Sequence, residues 1–396
     1  MIFYPLFRHL NTLKSKFIRL SSTAFAPDID TNYYCNTENA TEIGNNIKLR
    51  KGVGDIKMVM EMYKVLKATP ITDASYETVR DKLYKELSCL PNKTHPSVLT
   101  NLEPHVVREI NQKRDFQEHT PLEFSEITRR LNLVRTDKLG NTCGHKSYYF
   151  LGELAELEEA LIKYTLNKLL QENFKLVSVP DILPSQVLKS CGMMVNNDRT
   201  QIYSLDPVHH GPDLYLSGTA EMSLAGLLMN TQHSEKDLPL KLAAVSRFTT
   251  PSQSESMLEY LRSTQEELFT PLGFSMKVLD MPPHELGAPA YRKYDIEAWM
   301  PGRKNYGEIS SCSNCTDYQA RRLHIKYVHN DEVDYAHTLN GTACAVPRML
   351  IALLETHQDP KGKIFIPEVL QPYMNGKKYI LKNNSVPELK LMKIKR

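Results

Sequence analysis

No apolar run in this sequence approaches the roughly 18 residues that a membrane-crossing helix needs, so no membrane partner is expected. Metal-ligand spacing is almost as scarce. The seven cysteines are scattered at Cys35, Cys89, Cys143, Cys191, Cys312, Cys315 and Cys344. Only Cys312 and Cys315 are spaced as ligands, and no second CxxC or HxxxH completes a tetrahedral set, so no metal is expected. An odd, dispersed count reads as reduced thiols. A strong charge of one sign is missing too: +3 on 396 residues neither announces nor rules out a nucleic-acid partner. There is no internal repeat. Acid is absent from the start of the chain, where nothing acidic precedes Asp28.

What fills that acid-free start is informative. Arg8, Lys14, Lys16 and Arg19 are interleaved with Phe3, Leu6, Phe7, Leu10, Phe17, Ile18 and Leu20, and Ser21, Ser22 and Thr23 follow. A basic, serine-containing amphipathic stretch without a long apolar core predicts a mitochondrial transit peptide over residues 1–26, and therefore a matrix protein. Apolar content of 41% and charged content of 24% are ordinary for a globular chain of this length, which suffices for one large domain and a smaller one.

Three further regions are expected. Residues 40–120 read as a short helical arm and a connector. Two helices, near Val53 to Lys67 and Tyr76 to Leu87, are separated by Pro70 and Asp73 as breaker and cap, which makes a helical hairpin. Residues 121–376 alternate helix and strand. Leu151, Leu154, Leu157, Leu161, Tyr164 and Leu169 fall on one helical face. Strands are expected at 177–180, 214–216, 242–245, 276–279 and 296–299, with helices at 221–229, 257–268, 318–327 and 346–357. Strands lying close together without regular crossovers predict an α+β fold, an antiparallel sheet flanked by helices. Residues 377–396 form a basic tail in which Lys377, Lys378, Lys382, Lys390, Lys393, Lys395 and Arg396 face a single acid, Glu388. A nucleic-acid-binding module using this tail and the hairpin is one reading of the chain.

The ordered motifs say more. Tyr294 to Pro301 reads Tyr-Asp-Ile-Glu-Ala-Trp-Met-Pro, and Glu308 to Cys315 reads Glu-Ile-Ser-Ser-Cys-Ser-Asn-Cys. Gln319-Ala320-Arg321-Arg322 follows, then Asn340-Gly341-Thr342, Arg348 and Glu355. Upstream stand Tyr148 to Glu158, Phe174 to Pro180 and Leu214 to Glu221. In this order the segments resemble the class II seryl-tRNA synthetase family, from about Leu90 to Met374. The resemblance implies the class II aminoacyl-tRNA synthetase sheet, a dimer face at motif 1 (Phe174 to Pro180), and a serine pocket of Thr219, Glu221, Asn340 and Thr342. It implies an ATP and Mg2+ site with Glu308, Ser311 and Arg348.

One part of the pattern breaks. In the family, motif 2 is a strand, a loop and a return strand, and an arginine in Phe-Arg-x-Glu grips the α-phosphate. Here Ala243 to Ser254 places Thr250 and Ser252 where that arginine and glutamate are expected, and no return strand is recognisable. Arg247 is the nearby cation, several positions early on a strand whose faces alternate. Leu242 to Phe248 is then expected to close the sheet as an edge strand, and Pro347 to disturb the turn ahead of Arg348. The reading these departures favour is a degenerate mitochondrial paralogue without aminoacylation activity, hence no cofactor, which supports tRNA-Ser charging as a homodimer or as a heterodimer with mitochondrial seryl-tRNA synthetase. The alternative is an active mitochondrial serine–tRNA ligase that binds ATP and Mg2+.

Overall fold

A computed structural model describes residues 27–117, 119–136, 147–195, 202–244, 246–249 (backbone only) and 253–384. The expected transit peptide therefore lies outside the described residues, as do Lys390, Lys393, Lys395 and Arg396 of the basic tail.

The main element is an eight-stranded sheet. From one edge to the other its strands are His105–Ile110, Met276–Asp280, Arg292–Met300, Asn305–Asn314, His337–Gly341, Ser246–Thr249, Leu240–Ala243 and Lys175–Leu176. All pairings are antiparallel except the last, where Lys175 lies beside Leu242 in parallel. Alternation along Arg292–Met300 sends Tyr294, Ile296, Ala298 and Met300 into the core. The opposite face carries Lys293, Asp295, Glu297 and Trp299. Against the core face pack the Glu153–Gln171 and Val346–His357 helices, joined by Phe274, Met276, Val278 and Ile309 in one cluster. Leu154, Leu157 and Leu161 form the buried stripe of the first helix, and Glu153 and Glu156 occupy its first turn, where the helix dipole favours acid.

The helical arm is present, with a different buried stripe. Helices Ile56–Ala68 and Tyr76–Cys89 pack through Ile56, Val59, Leu83 and Leu87, whereas Met58 is exposed. A further helix, Ala40–Leu49, adds Ile43 and Ile47 to that core. The connector is more than a linker, because His105–Ile110 pairs with Met276–Asp280 as an outer strand of the main sheet.

Other boundaries moved for local reasons. The strand expected at 177–180 is confined to Lys175–Leu176, and Ile182–Pro184 pairs instead with Leu214–Leu216. The helix expected to reach Tyr327 stops at Leu323, where His324 takes a left-handed backbone (φ 53°), and Lys326–His329 continues as strand. Pro347 disturbs nothing. It lies in the first turn of Val346–His357, where a backbone N–H has no intrahelical acceptor, and the helix runs on to its expected end. At the start of the tail, Lys377 is tied to Glu156 (2.6 Å) and Glu153 (3.4 Å).

The expectation of a single edge strand over Leu242 to Phe248 is corrected. The stretch divides into Leu240–Ala243 and Ser246–Thr249, and Ser246–Thr249 pairs on one side with Leu240–Ala243 (Lys241 opposite Arg247) and on the other with His337–Gly341 (Leu339 opposite Arg247). It lies inside the sheet, not at an edge. Its four residues of mixed polarity carry little strand signal, and only residues 244 and 245 separate the two strands in sequence.

Candidate functional site

Beside the short hairpin lies a cavity of about 360 Å³. Its polar wall is made by Thr219, Glu221, Ser311, Asn340 and Thr342, and its opposite wall includes Leu166, Ala243 and Val346. Three separate stretches of sequence supply the polar wall. Thr219 is the N-cap of the Ala220–Leu227 helix, its hydroxyl accepting from the Glu221 N–H, and so places Glu221 in the first turn. Ser311 lies on Asn305–Asn314. Asn340 lies on the adjacent strand opposite Ser313, and Thr342 follows that strand, donating its N–H to the Ser311 carbonyl at 2.8 Å. Gly341 is closely packed, since a Cβ there would meet the Ser311 carbonyl oxygen at 3.0 Å and Gln265 Nε2 at 3.1 Å, and these neighbours would have to shift.

The centre of this wall is a carboxylate held by neutral amides. Glu221 Oε1 accepts from Asn340 Nδ2 at 2.8 Å and from Gln319 Nε2 at 2.7 Å. Burial pushes the Glu221 carboxyl up from its ordinary range, and the two amides pull it down. The group keeps a full negative charge when ionised, because no cation pairs with it among the described residues. A cavity with one unneutralised carboxylate, hydroxyls and an amide, and an apolar wall can hold a small ammonium-bearing molecule.

The sequence-derived residues fall into two sets. Thr219, Glu221, Asn340, Thr342 and Ser311 come together in the cavity. Glu308 and Arg348 do not line it and face each other as an ion pair at 3.6 Å, with the Arg348 side chain 46% exposed. Glu308 stands across from Glu297 on the next strand, and burial, then Glu308, raises the Glu297 carboxyl. Magnesium on nucleotide phosphates takes one or two protein carboxylates, so Glu308 with Glu297 beside it fits that ion. Arg247 has its backbone in the Ser246–Thr249 strand, and its side chain lies outside the described residues. Gln319 was missed as a site residue. It stood in the Gln-Ala-Arg-Arg run without a role, and nothing in helical spacing says that it reaches Glu221. Cys312 and Cys315 are both buried, Cys312 beside Leu258, Leu261 and Leu339.

One further acid on this face makes a prediction. Asp295 is buried, and that burial pushes its carboxyl up to about 6; Lys293 at 2.7 Å opposes the shift, and Glu308 and Glu297 add to it. Between about pH 4 and 6 the unfolded chain has released a proton that the folded chain keeps. Stability is therefore greatest below that window and falls as pH rises through it, by about 2–3 kcal/mol in total. In denaturant titrations without nucleotide or magnesium, Asp295→Asn should flatten this slope.

Comparison with known proteins places the arrangement. Residues 245–357 match the tRNA synthetase class II core domain (G, H, P, S and T). The chain is 41% identical over 329 residues to the mitochondrial serine–tRNA ligase of Mus musculus, covering 75% of this chain and 63% of that protein. It is 35% identical over 350 residues to the serine–tRNA ligase of Rubrobacter xylanophilus, covering 80% of this chain and 82% of that one. The crystal structure of seryl-tRNA synthetase from Pyrococcus horikoshii complexed with ATP superposes with a TM-score of 0.80 at 26% identity, over 90% of this chain and all of that one. The sheet with its flanking helices is the class II fold.

Proposed function

This chain belongs to the seryl-tRNA synthetase family, and from that footing we propose that it is a mitochondrial serine–tRNA ligase. The observation that carries the proposal is the Glu221–Asn340–Gln319 arrangement at the cavity, a complete seat for an α-ammonium group. Thr219 and Glu221 face the serine amine, and Asn340 and Thr342 surround its hydroxyl end, where paired polar groups discriminate against an analogue lacking the hydroxyl. The serine carboxylate then attacks the α-phosphate of ATP, forming a C–O–P linkage and expelling pyrophosphate. A tRNA ribose hydroxyl next attacks the activated carbonyl and expels AMP. Charge builds on the α-phosphate in the first step, and a nearby cation lowers that barrier. Arg348 and Arg247 are the cations on offer, and Glu308 with Ser311 would hold magnesium. The mitochondrial relatives and the acid-free basic start over 1–26 support mitochondrial import. The Phe174 to Pro180 region supports a dimer, and the helical arm a contact with tRNA-Ser.

A second reading rests on one specific observation, Thr250 and Ser252 standing where the family's arginine and glutamate are expected. Those positions leave no arginine there to grip the α-phosphate. On this reading the chain keeps its serine pocket and fold, activates nothing, and acts as a dimerising partner in mitochondrial tRNA-Ser charging. Removal of one such donor costs about 100- to 1000-fold in rate, so the readings separate widely. Serine-dependent ATP–pyrophosphate exchange, run beside calorimetric titration with L-serine, tests both. Exchange above background is the expected result. Serine binding with a flat exchange trace would transfer the conclusion to the partner reading, and absence of both would remove the serine site itself.

A further inference from the structure

Glu221 presents an asymmetry that its own helix does not explain. Both amide donors land on Oε1, and among the described residues no donor reaches Oε2. Asn340 lines the cavity and meets whatever enters. Gln319 does not line it and is 1% exposed, so it has no route to a ligand except through Glu221. Its amide is aimed by packing. Gln319 sits in the first turn of Tyr318–Leu323, and Ala320 and Leu323 of that helix share a cluster with Met222, Leu224 and Ala225 of the helix carrying Glu221. The two helices therefore fix the 2.7 Å Gln319–Glu221 contact, whatever occupies the cavity.

We infer that Gln319 is a positioning residue that pins one oxygen of Glu221 and turns the other toward the ligand ammonium. The inference rests on the serine-pocket reading given above. The residue type follows from the chemistry. An arginine or lysine in that place would neutralise Glu221 and abolish its attraction for a cation. An apolar residue would leave the carboxylate desolvated with one donor fewer and favour its protonated form, which cannot hold an ammonium. A neutral donor stabilises the anion and leaves its charge available.

The test is calorimetric titration of the full chain with L-serine from about pH 5.5 to 8.5, on wild type, Gln319→Met, Gln319→Asn and Glu221→Gln. Gln319→Met preserves size and removes the donor. It is expected to weaken serine binding about tenfold at the alkaline end, since a hydrogen bond to a charged group is at stake, and to move the acid limb of the affinity profile to higher pH. Gln319→Asn keeps an amide on a shorter stem and should fall between the two. A loss of packing alone would lower stability without moving that limb. Wild-type affinity and limb in Gln319→Met, with Glu221→Gln unable to bind, would overturn the inference and leave the serine pocket standing. If Gln319→Met fails to fold, a wild-type profile in Gln319→Asn overturns it equally. Undiminished binding in Glu221→Gln would instead remove the pocket reading beneath it.

Discussion

Glu221→Gln is expected to weaken L-serine binding by about 100-fold or more while leaving the chain as stable as before. The two halves of this expectation have one cause. The Gln side-chain oxygen can replace Oε1 and accept from Asn340 and Gln319, which now donate at 2.8 Å and 2.7 Å. Neither donor is orphaned, and a neutral amide escapes the desolvation that raises the Glu221 carboxyl. In that orientation, however, the new NH2 group occupies the place of Oε2. A donor then faces the ligand ammonium, so an attractive charged contact becomes a repulsive one. Calorimetry supplies the affinity and thermal unfolding the stability. Tight binding by a folded Glu221→Gln chain would mean that the ammonium sits elsewhere in the cavity. Loss of fold would mean that the carboxylate is a structural acceptor first.

The asymmetry between what the sequence announced and what it hid follows the same physics. Val346–His357 was legible to its last residue because an unbroken apolar stripe marks one helix, and Pro347, expected to disturb its start, fits the first turn. Glu308 to Cys315 was legible because that run follows Tyr294 to Pro301 in a family order, and the two segments pair as neighbouring strands. The inner position of Ser246–Thr249 was not, because nothing in its own four residues says that the strand pairs on both sides. His105–Ile110 was missed for a related reason. Five of its six residues are exposed, Val106 and Val107 among them, so burial does not impose the period-two pattern that marks a strand. The cavity residues Thr219, Glu221, Asn340 and Thr342 were named from motif order alone. Gln319 needed three dimensions, since its partner lies 98 positions away and the contact is set by helices meeting, not by spacing.

Arg50→Met should cost about 2–4 kcal/mol and loosen the helical arm from the sheet domain, because the Arg50 guanidinium is a buried donor shared by carbonyls of both parts. It is 6% exposed, and its guanidinium donates to the carbonyls of Asn92 (2.9 Å), Lys93 (3.4 Å), Ala290 (2.9 Å), Ala288 (3.4 Å) and Gly287. Burial draws its pKa down to about 10, so it remains charged at neutral pH. Methionine fills similar space and takes a donor from those carbonyls, of which the buried Ala290 carbonyl loses its side-chain partner outright, while Asn92 and Ala288 keep donors in Asn46 and the Asn92 N–H. Lysine keeps the charge but offers one compact donor group in place of a planar fork, so Arg50→Lys should recover only part of the loss. The same junction is tied by Asn92, whose amide donates to the carbonyls of Pro289 and Cys315 and whose N–H donates to Ala288. Cys315 directly follows the strand that carries Ser311, and Gln319 lies four residues on. Hydrogen exchange in Arg50→Met should therefore rise first across residues 40–93 and 287–290, ahead of the core strands. If protection instead falls evenly over the whole sheet, arm and sheet unfold as one unit, and Arg50 belongs to a single cooperative core.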